Sequence, residues 1–395
     1  MGKAYTLSDI KSFLLGFLLY FIAVIVADIY KGSGIVNIYY VLAVLWCIPS
    51  IPRCLKKHIA PIELLAYFLL IVIVEYMNRQ NAIYYYEGLL QIGCAIILSN
   101  YLITIRRVKY FSIGLAVSIA LGCIWFCLFA TNSELNFGDS ELRHSLPFFY
   151  ISSAGLMTSL GYFLALANLT DKRIVSWIIV ALLCFATCLY TLSKNALLSM
   201  VVITFIYLTL IKVIRMNRRT ITIFVIMAII FFLFGDVLTP ILSLFSEAID
   251  TSNSDEMINI SGRGGIWMFA VENISQKPWF GHGYYTASEL LMEKINENVS
   301  QAHNGILHVL LSTGWLGFAL LTTYIIRCFM SVKKHMLDII ANTQMRWLLC
   351  MLLYFMIRSI TEASFAQCGS FDVFWFLLLT HALMNIVNPN LEVNK

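Results

Sequence analysis

The chain is built from apolar runs, each close to the roughly 17–25 residues that a helix needs to cross a ~30 Å hydrocarbon layer. They fall near 11–28, 35–52, 60–77, 83–103, 110–130, 148–168, 175–192, 196–213, 220–238, 304–326, 345–360 and 372–388. A segment in hydrocarbon must satisfy its own backbone N–H and C=O groups, and runs of this length do so as α-helices. Composition agrees: 60% of the residues are hydrophobic, 12% are charged and the mean hydropathy is +0.80, too apolar for a water-facing surface. The pattern predicts an all-α, polytopic integral membrane protein with about twelve transmembrane helices.

Lys and Arg in short loops mark the cytoplasmic side. Arg53/Lys56/Lys57, Arg106/Arg107/Lys109, Lys172/Arg173, Lys212/Arg215/Arg218/Arg219 and Arg327/Lys333/Lys334 occupy every second loop. With Lys3, Lys11, Arg346 and Lys395 they make 19 of the 27 basic residues, which predicts cytoplasmic termini. The net charge of +5 therefore follows topology, and no basic, aromatic-interleaved patch points to nucleic acid. The first apolar run lacks a small-residue cleavage pattern and reads as a retained helix. Most of the ten cysteines lie inside spans, Cys123/Cys127 and Cys184/Cys188 one helical turn apart, and Cys368 is placed outside. They read as small packing residues and not as a disulfide framework.

Three blocks follow: spans 1–9 in residues 1–238, a large external loop with short helices in 239–303, and spans 10–12 with a cytoplasmic C-terminus in 304–395. The loop carries Asp250, Asp255, Glu256, Arg263, Glu272, Glu293 and Glu297. Its stretch "SGRGGIWMFAVENISQKPWFGHGYY" reads as an N-cap Ser261, a glycine-flanked arginine and a helix with Trp267, Ala270, Val271 and Ile274 on its apolar face. That face should lie on the membrane surface or the bundle, and Lys277-Pro278 should stop the helix. No fixed-period repeat is present.

Eight basic residues remain outside: Lys31, Arg79, Arg143, Lys194, Arg263, Lys277, Lys294 and Arg358. Arg143 ("LRHSLPFF"), Lys194 ("TLSKNALL"), Arg263 ("SGRGGIW") and Arg358 ("MIRSITEAS") sit beside span ends or in glycine-rich turns, where any one alone would read as an interfacial anchor. Together they suggest a cationic pocket for a diphosphate, since guanidinium groups hold phosphate oxygens bidentately and lysine adds a point charge. At Arg263 the glycines would also let backbone N–H groups approach an anion at a helix start. His303, where the large loop meets the next span, is placed to serve as a general base, with His282 as its competitor. His303 and His308, five residues apart, should lie on different helix faces. No residue pattern reads as a metal site or a nucleotide-binding loop, so no metal and no cofactor are expected.

"HNGILHVLLSTGWLG" resembles the signature of the O-antigen ligase and polymerase superfamily: a His-Asn pair, nine residues, then Gly-x-x-Gly, here His303, Asn304, Gly314 and Gly317. "TLSKNALL" is similar to that family's Thr-x-Ser-Arg-x-Ala turn, with Lys194 in place of arginine. The Arg263 stretch and "LRHSLPFF" resemble its other external arginine segments, so the likeness runs over roughly residues 130–370. The resemblance implies an inner-membrane glycosyltransferase with its active site facing the periplasm, taking an undecaprenyl-diphosphate-linked glycan donor. It further implies that basic residues hold the diphosphate and that His303 deprotonates the acceptor hydroxyl with inversion and without a metal; Asn304 would then hold the ring or a sugar hydroxyl by hydrogen bonds.

A single large external loop favours an O-antigen ligase acting on lipid A-core over a polymerase that joins two lipid-linked glycans; polymerase stays open. A polysaccharide or lipid transporter would show internal symmetry and glycine- or proline-broken helices in matching positions. The sequence gives no sign of these.

Overall fold

The computed structural model describes residues 5–29, 35–50, 61–78, 82–129, 132–133, 143–144, 151–169, 174–191, 193–211, 263–295, 299–365 and 371–387. Among them the regular elements are α1 (Leu7–Ile29), α2 (Ile35–Cys47) with a 3₁₀ turn at Ile48–Ser50, α3 (Ile62–Asn78), α4 (Ala82–Tyr101) and α5 (Ile105–Phe129). A two-residue antiparallel pair follows, β1 (Asn132–Ser133) with β2 (Arg143–His144). Then come α6 (Ile151–Ala167), α7 (Ile174–Tyr190), α8 (Lys194–Leu210), α9 (Arg263–Gln276) and α10 (Thr286–Lys294). The last are α11 (Gly305–Lys334), α12 (Met336–Ala341), α13 (Thr343–Arg358) and α14 (Phe371–Val387).

Apolar composition translates directly into these helices. Every predicted run coincides with one except 220–238, which lies outside the described residues, as do Asp250, Asp255, Glu256, Ser261 and Cys368. Among the described residues, Ile105–Trp125 and Gly305–Lys334 are long and apolar enough to cross a membrane by length and composition, and shorter apolar stretches of 10–17 residues include Ala154–Ala167, Ile174–Tyr190 and Asp372–Val387. Helix ends are built by local side chains. At α1 the Thr6 N–H donates to Asp9 Oδ2 at 2.8 Å and the Asp9 N–H to Thr6 Oγ1 at 3.3 Å, a reciprocal cap of two orphan donors.

The chain forms two compact units. The first comprises Met1–Ser33, Arg106–Ser252 and Ile340–Cys350. Within it α6 packs on α7 and α8, and α1 meets α5 through Gly16 and Gly114. The Asp9 carboxylate receives the Arg106 guanidinium at 2.6 and 2.7 Å. Its interior includes Cys123, Cys184 and Cys188, all buried as expected for packing residues, whereas Cys127 is exposed.

The second unit comprises Gly34–Ile105, Asn253–Ile339 and Met351–Lys395. In it α4 packs against α2 and α14, and α11 lies against α3, α9, α10 and α14. Residues of the large loop form a small core with the start of α11: Ile266, Ala270, Ala287, Leu291, Ala302 and Leu311 are buried together. The helix at 263–276 ends at Gln276, just ahead of the predicted stop. Its buried face is offset from the predicted one, however. Ile266 replaces Trp267 as the first core position and Val271 is 56% exposed, because α10 and α11 approach from the Ile266–Ala270–Asn273 side.

Candidate active site

Asn304 is the N-cap of α11. Its Oδ1 accepts the N–H groups of Ile306 and Leu307 at 3.0 and 3.1 Å, and its Nδ2 donates to the Ile360 carbonyl at 3.1 Å. Oδ1 is thereby committed to the cap, and Nδ2 keeps a second N–H that none of these contacts uses. His303, one residue earlier, has φ +47, a left-handed conformation that histidine adopts at a cost of about 1–2 kcal/mol. Backbone strain of this kind persists only where the surroundings over-determine it.

The turn after α13 supplies that determination. The Gly305 N–H donates to the Ser359 carbonyl at 2.7 Å. Gln301 spans the gap with both amide atoms, Nε2 to Glu362 Oε2 at 2.8 Å and Oε1 from the Ala363 N–H at 2.9 Å. A Cβ on Gly305 would stand 2.9 Å from the Phe365 ring, so only glycine lets the two turns close. His303 Nδ1 then lies 3.4 Å from Glu362 Oε2. That nitrogen is buried, whereas the side chain as a whole is 26% exposed, so the exposed part is the opposite edge of the ring. Glu362 was missed in the sequence. Its only signal was an acidic residue four places after Arg358 in a turn expected to be external, and 59 residues separate it from its histidine.

Arg358 holds this turn from below. Its side chain is 1% exposed, its Nε donates to Asp372 Oδ2 at 2.9 Å and its Nη1 to the Tyr354 hydroxyl at 3.1 Å. Ser364 also donates to Asp372, at 3.2 Å. The Arg358 carbonyl accepts the N–H groups of Thr361 and Glu362. Arg358 is thus the root of the turn that carries Glu362, with its charge matched by Asp372.

Ten residues past the cap, α11 breaks. The predicted continuous span over 304–326 is corrected here, because Gly314 has φ +64 and ψ −167 inside the helix. Residues 278–283 fill the break as a strap. The Trp315 N–H donates to the Pro278 carbonyl at 2.8 Å and the Leu316 N–H to the Trp279 carbonyl at 3.2 Å. In return the His282 and Gly283 N–H groups donate to the Leu311 and Ser312 carbonyls at 2.8 and 2.9 Å. A Cβ on Gly281, itself at φ +70, would stand 2.6 Å from the Ser312 carbonyl carbon; one on Gly314 would fall on the Trp279 carbonyl. Gly317 faces Thr313 and Leu70 of α3, where there is no room for a side chain. Gly305–Thr313 is therefore a short half-helix, buried from His308 onward and exposed at Ile306, and Trp315–Lys334 rises ~30 Å by itself.

The strap is fixed at its other end by a buried carboxylate. Glu75 of α3, 2% exposed, accepts the Tyr285 N–H and the Thr286 hydroxyl, both at 2.9 Å, capping α10. Lys277 donates to Asn78 Oδ1. His282 is buried, and its Nε2 lies 2.9 Å from the Asn273 carbonyl. A carbonyl only accepts, so this nitrogen carries the proton and cannot take another. Burial lowers the His282 pKa from its ordinary value; the Asn273 carbonyl opposes this and the Lys277 charge adds to it. His282 is thus held in the strap through Nε2, with Nδ1 as its acceptor nitrogen.

The remaining expected residues are placed by backbone. Arg263 is the first residue of α9, and the space beside Gly264 and Gly265 in that first turn is open. In the first unit, Lys194 begins α8 directly after Ser193, which packs on Gly155 of α6. Arg143 sits in β2 opposite Ser133. His303, Asn304, Gly314, Gly317 and Arg358 come together around one helix, joined by Glu362, Gln301 and the strap. Among the described residues no group of three His, Cys, Asp or Glu side chains is arranged to hold a metal ion.

A capped half-helix, a strained histidine against a buried glutamate and a mostly apolar helical frame define a membrane protein with a built site at the head of one helix. Residues 179–322, from α7 into α11, match the family model described as O-antigen ligase. The match includes Lys194, Arg263, His303, Asn304, Gly314 and Gly317, whereas Arg143, Arg358 and Glu362 lie outside it. No curated protein matches the chain.

Proposed function

We propose that this chain is an inverting, metal-independent glycosyltransferase of the bacterial inner membrane. It transfers a glycan from undecaprenyl diphosphate to a hydroxyl of lipid A-core, with the segment 239–303 and His303 facing the periplasm and about twelve spans around them. The observation that carries the reading is the His303 turn: a strained, partly exposed imidazole whose inner nitrogen faces a buried carboxylate.

In this mechanism the Glu362 carboxylate favours a proton on Nδ1, which leaves Nε2 as the base. Nε2 removes the acceptor hydroxyl proton as that oxygen attacks the anomeric carbon. The bond from the anomeric carbon to phosphate breaks, and the electron pair leaves on undecaprenyl diphosphate, giving inversion. Glu362 stabilises the resulting imidazolium. Arg263, Lys194 and Arg143 hold the diphosphate; the open first turn of α9 leaves backbone N–H groups accessible to it.

The test is transfer by the purified protein from lipid-linked glycan to lipid A-core without ATP or an ion gradient. His303→Ala should lower turnover by ~10² to 10⁴, the usual scale for losing a general base, with donor binding retained. Arg263→Ala should lose donor binding, Arg263→Lys should keep a little, and Lys194→Arg should be tolerated. Normal transfer by His303→Ala would remove the base. Deletion of the gene should leave surface polymer unattached to lipid A-core; single repeat units on the core would mean a polymerase.

A further inference from the structure

His308 is the buried group this mechanism leaves unused. It lies five residues beyond His303 in the half-helix, with 0% of its surface exposed. A leucine would be the cheaper occupant, because a buried ring with an unsatisfied polar atom carries the desolvation cost of that atom. The ring does not point away from the histidine turn, as helical spacing predicts. Its Nδ1 accepts the Ala302 N–H at 3.3 Å, so its Nε2 carries the hydrogen, and that nitrogen has no partner among the described residues.

Ala302 is the residue immediately before the strained His303, and it is fully buried in the loop core with Ala270, Ala287, Leu291 and Leu311. Its N–H is a donor that water cannot reach. Without an acceptor at this point the donor would be orphaned, and the backbone would relax to expose it. Because φ at His303 is already costly, relaxation one residue away would carry that residue out of its left-handed conformation.

We propose that His308 is a positioning residue for His303. Its Nδ1 takes the Ala302 N–H and so locks the turn in which the His303 ring faces Glu362 and shows its other edge. This rests on His303 being the base. Only a neutral His308 with the hydrogen on Nε2 can do this, which explains a polar ring at a fully buried position.

The substitutions that test this separate the hydrogen bond from the volume. His308→Asn keeps an amide oxygen near the place of Nδ1, whereas His308→Leu and His308→Phe fill the site without an acceptor. Transfer kinetics, donor binding and thermal stability would be measured for each variant beside His303→Ala. Leu and Phe should lower kcat by ~10- to 100-fold with donor binding and KM little changed, the scale for misplacing a catalytic group by about 1 Å. Asn should recover most of the turnover. A purely structural role gives the reverse order, since apolar fillings pack at least as well as an amide. Transfer by Leu or Phe equal to that of Asn overturns the proposal, and so does an Asn variant that fails in transfer or in membrane insertion. If His303→Ala transfers normally the base itself is wrong. If it is inactive while His308→Leu is normal, only the positioning role falls.

Discussion

Two pairs of glycines bring backbone against backbone in this protein, and they do so for different ends. In the first unit Gly16 of α1 faces the Phe111 carbonyl of α5, and Gly114 of α5 faces the Phe13 carbonyl of α1. Neither glycine has a positive φ, both helices run on through the contact, and the exchange is reciprocal. This is close packing by small residues, of the kind that lets apolar helices associate where burial from water offers nothing. In the second unit Gly281 and Gly314 both have positive φ, and α11 gives up its own hydrogen bonds to those of the strap. The first pair shortens a distance. The second joins the strap at 278–283 to the helix that follows His303.

The sharpest way to break this contrast is Gly314→Ala. In an ordinary helix interior such a change stabilises by roughly 0.5–1 kcal/mol. Here the new residue would have to hold φ +64 and place its Cβ on the Trp279 carbonyl. Transfer should fall by ~10²-fold or more, since the half-helix below His303 loses its floor. Gly281→Ala should act alike, and the double variant should be much less damaging than the two effects summed, because both break one contact. Near-normal transfer by Gly314→Ala would mean that the break is incidental.

Gly114→Ala should behave differently. The extra methyl falls on the Phe13 carbonyl and forces α1 from α5, an overpacking cost of ~1–3 kcal/mol. The melting temperature in detergent should drop while transfer per folded molecule stays within about 2-fold. A selective loss of kcat would tie this crossing to the site and dissolve the distinction.

What could be read in advance follows the same division. Apolar length specifies helices locally, so the runs were legible, and so was the stop at Lys277-Pro278. Gly314 was not legible as a break, because a glycine in an apolar run looks the same whether it packs a helix, as Gly16 does, or ends one. Its meaning lies in residues 278–283, some thirty positions earlier. His303 was legible by residue type and position. The cap made by Asn304 was not read, because a cap and a ligand contact call on the same amide. Glu362, Glu75 and the ring direction of His308 depend on contacts between distant segments, which local periodicity does not carry.

The smallest expected effect separates the two contacts by pH. His282 lies in the strap, and burial lowers its pKa, so the folded strap prefers the neutral ring. An unfolded histidine titrates near 6.5. Below that value the unfolded strap binds a proton that the folded one refuses until the pH is lower still. Its stabilisation is therefore full above about pH 6.5 and declines as the pH falls. The α1–α5 contact is indifferent over this range, because the Arg106 guanidinium holds the Asp9 carboxyl below the ordinary carboxylate range. Amide hydrogen exchange, corrected for intrinsic rates, would show it. Protection at His282 and Gly283, whose N–H groups bind the Leu311 and Ser312 carbonyls, should fall between pH 7.5 and 5.5. Protection in α1 and α5 should not. His282→Gln retains a donor near the Asn273 carbonyl but does not titrate, so it should abolish the difference. Equal loss in both regions, or loss that survives in His282→Gln, would assign the pH response to something other than this ring.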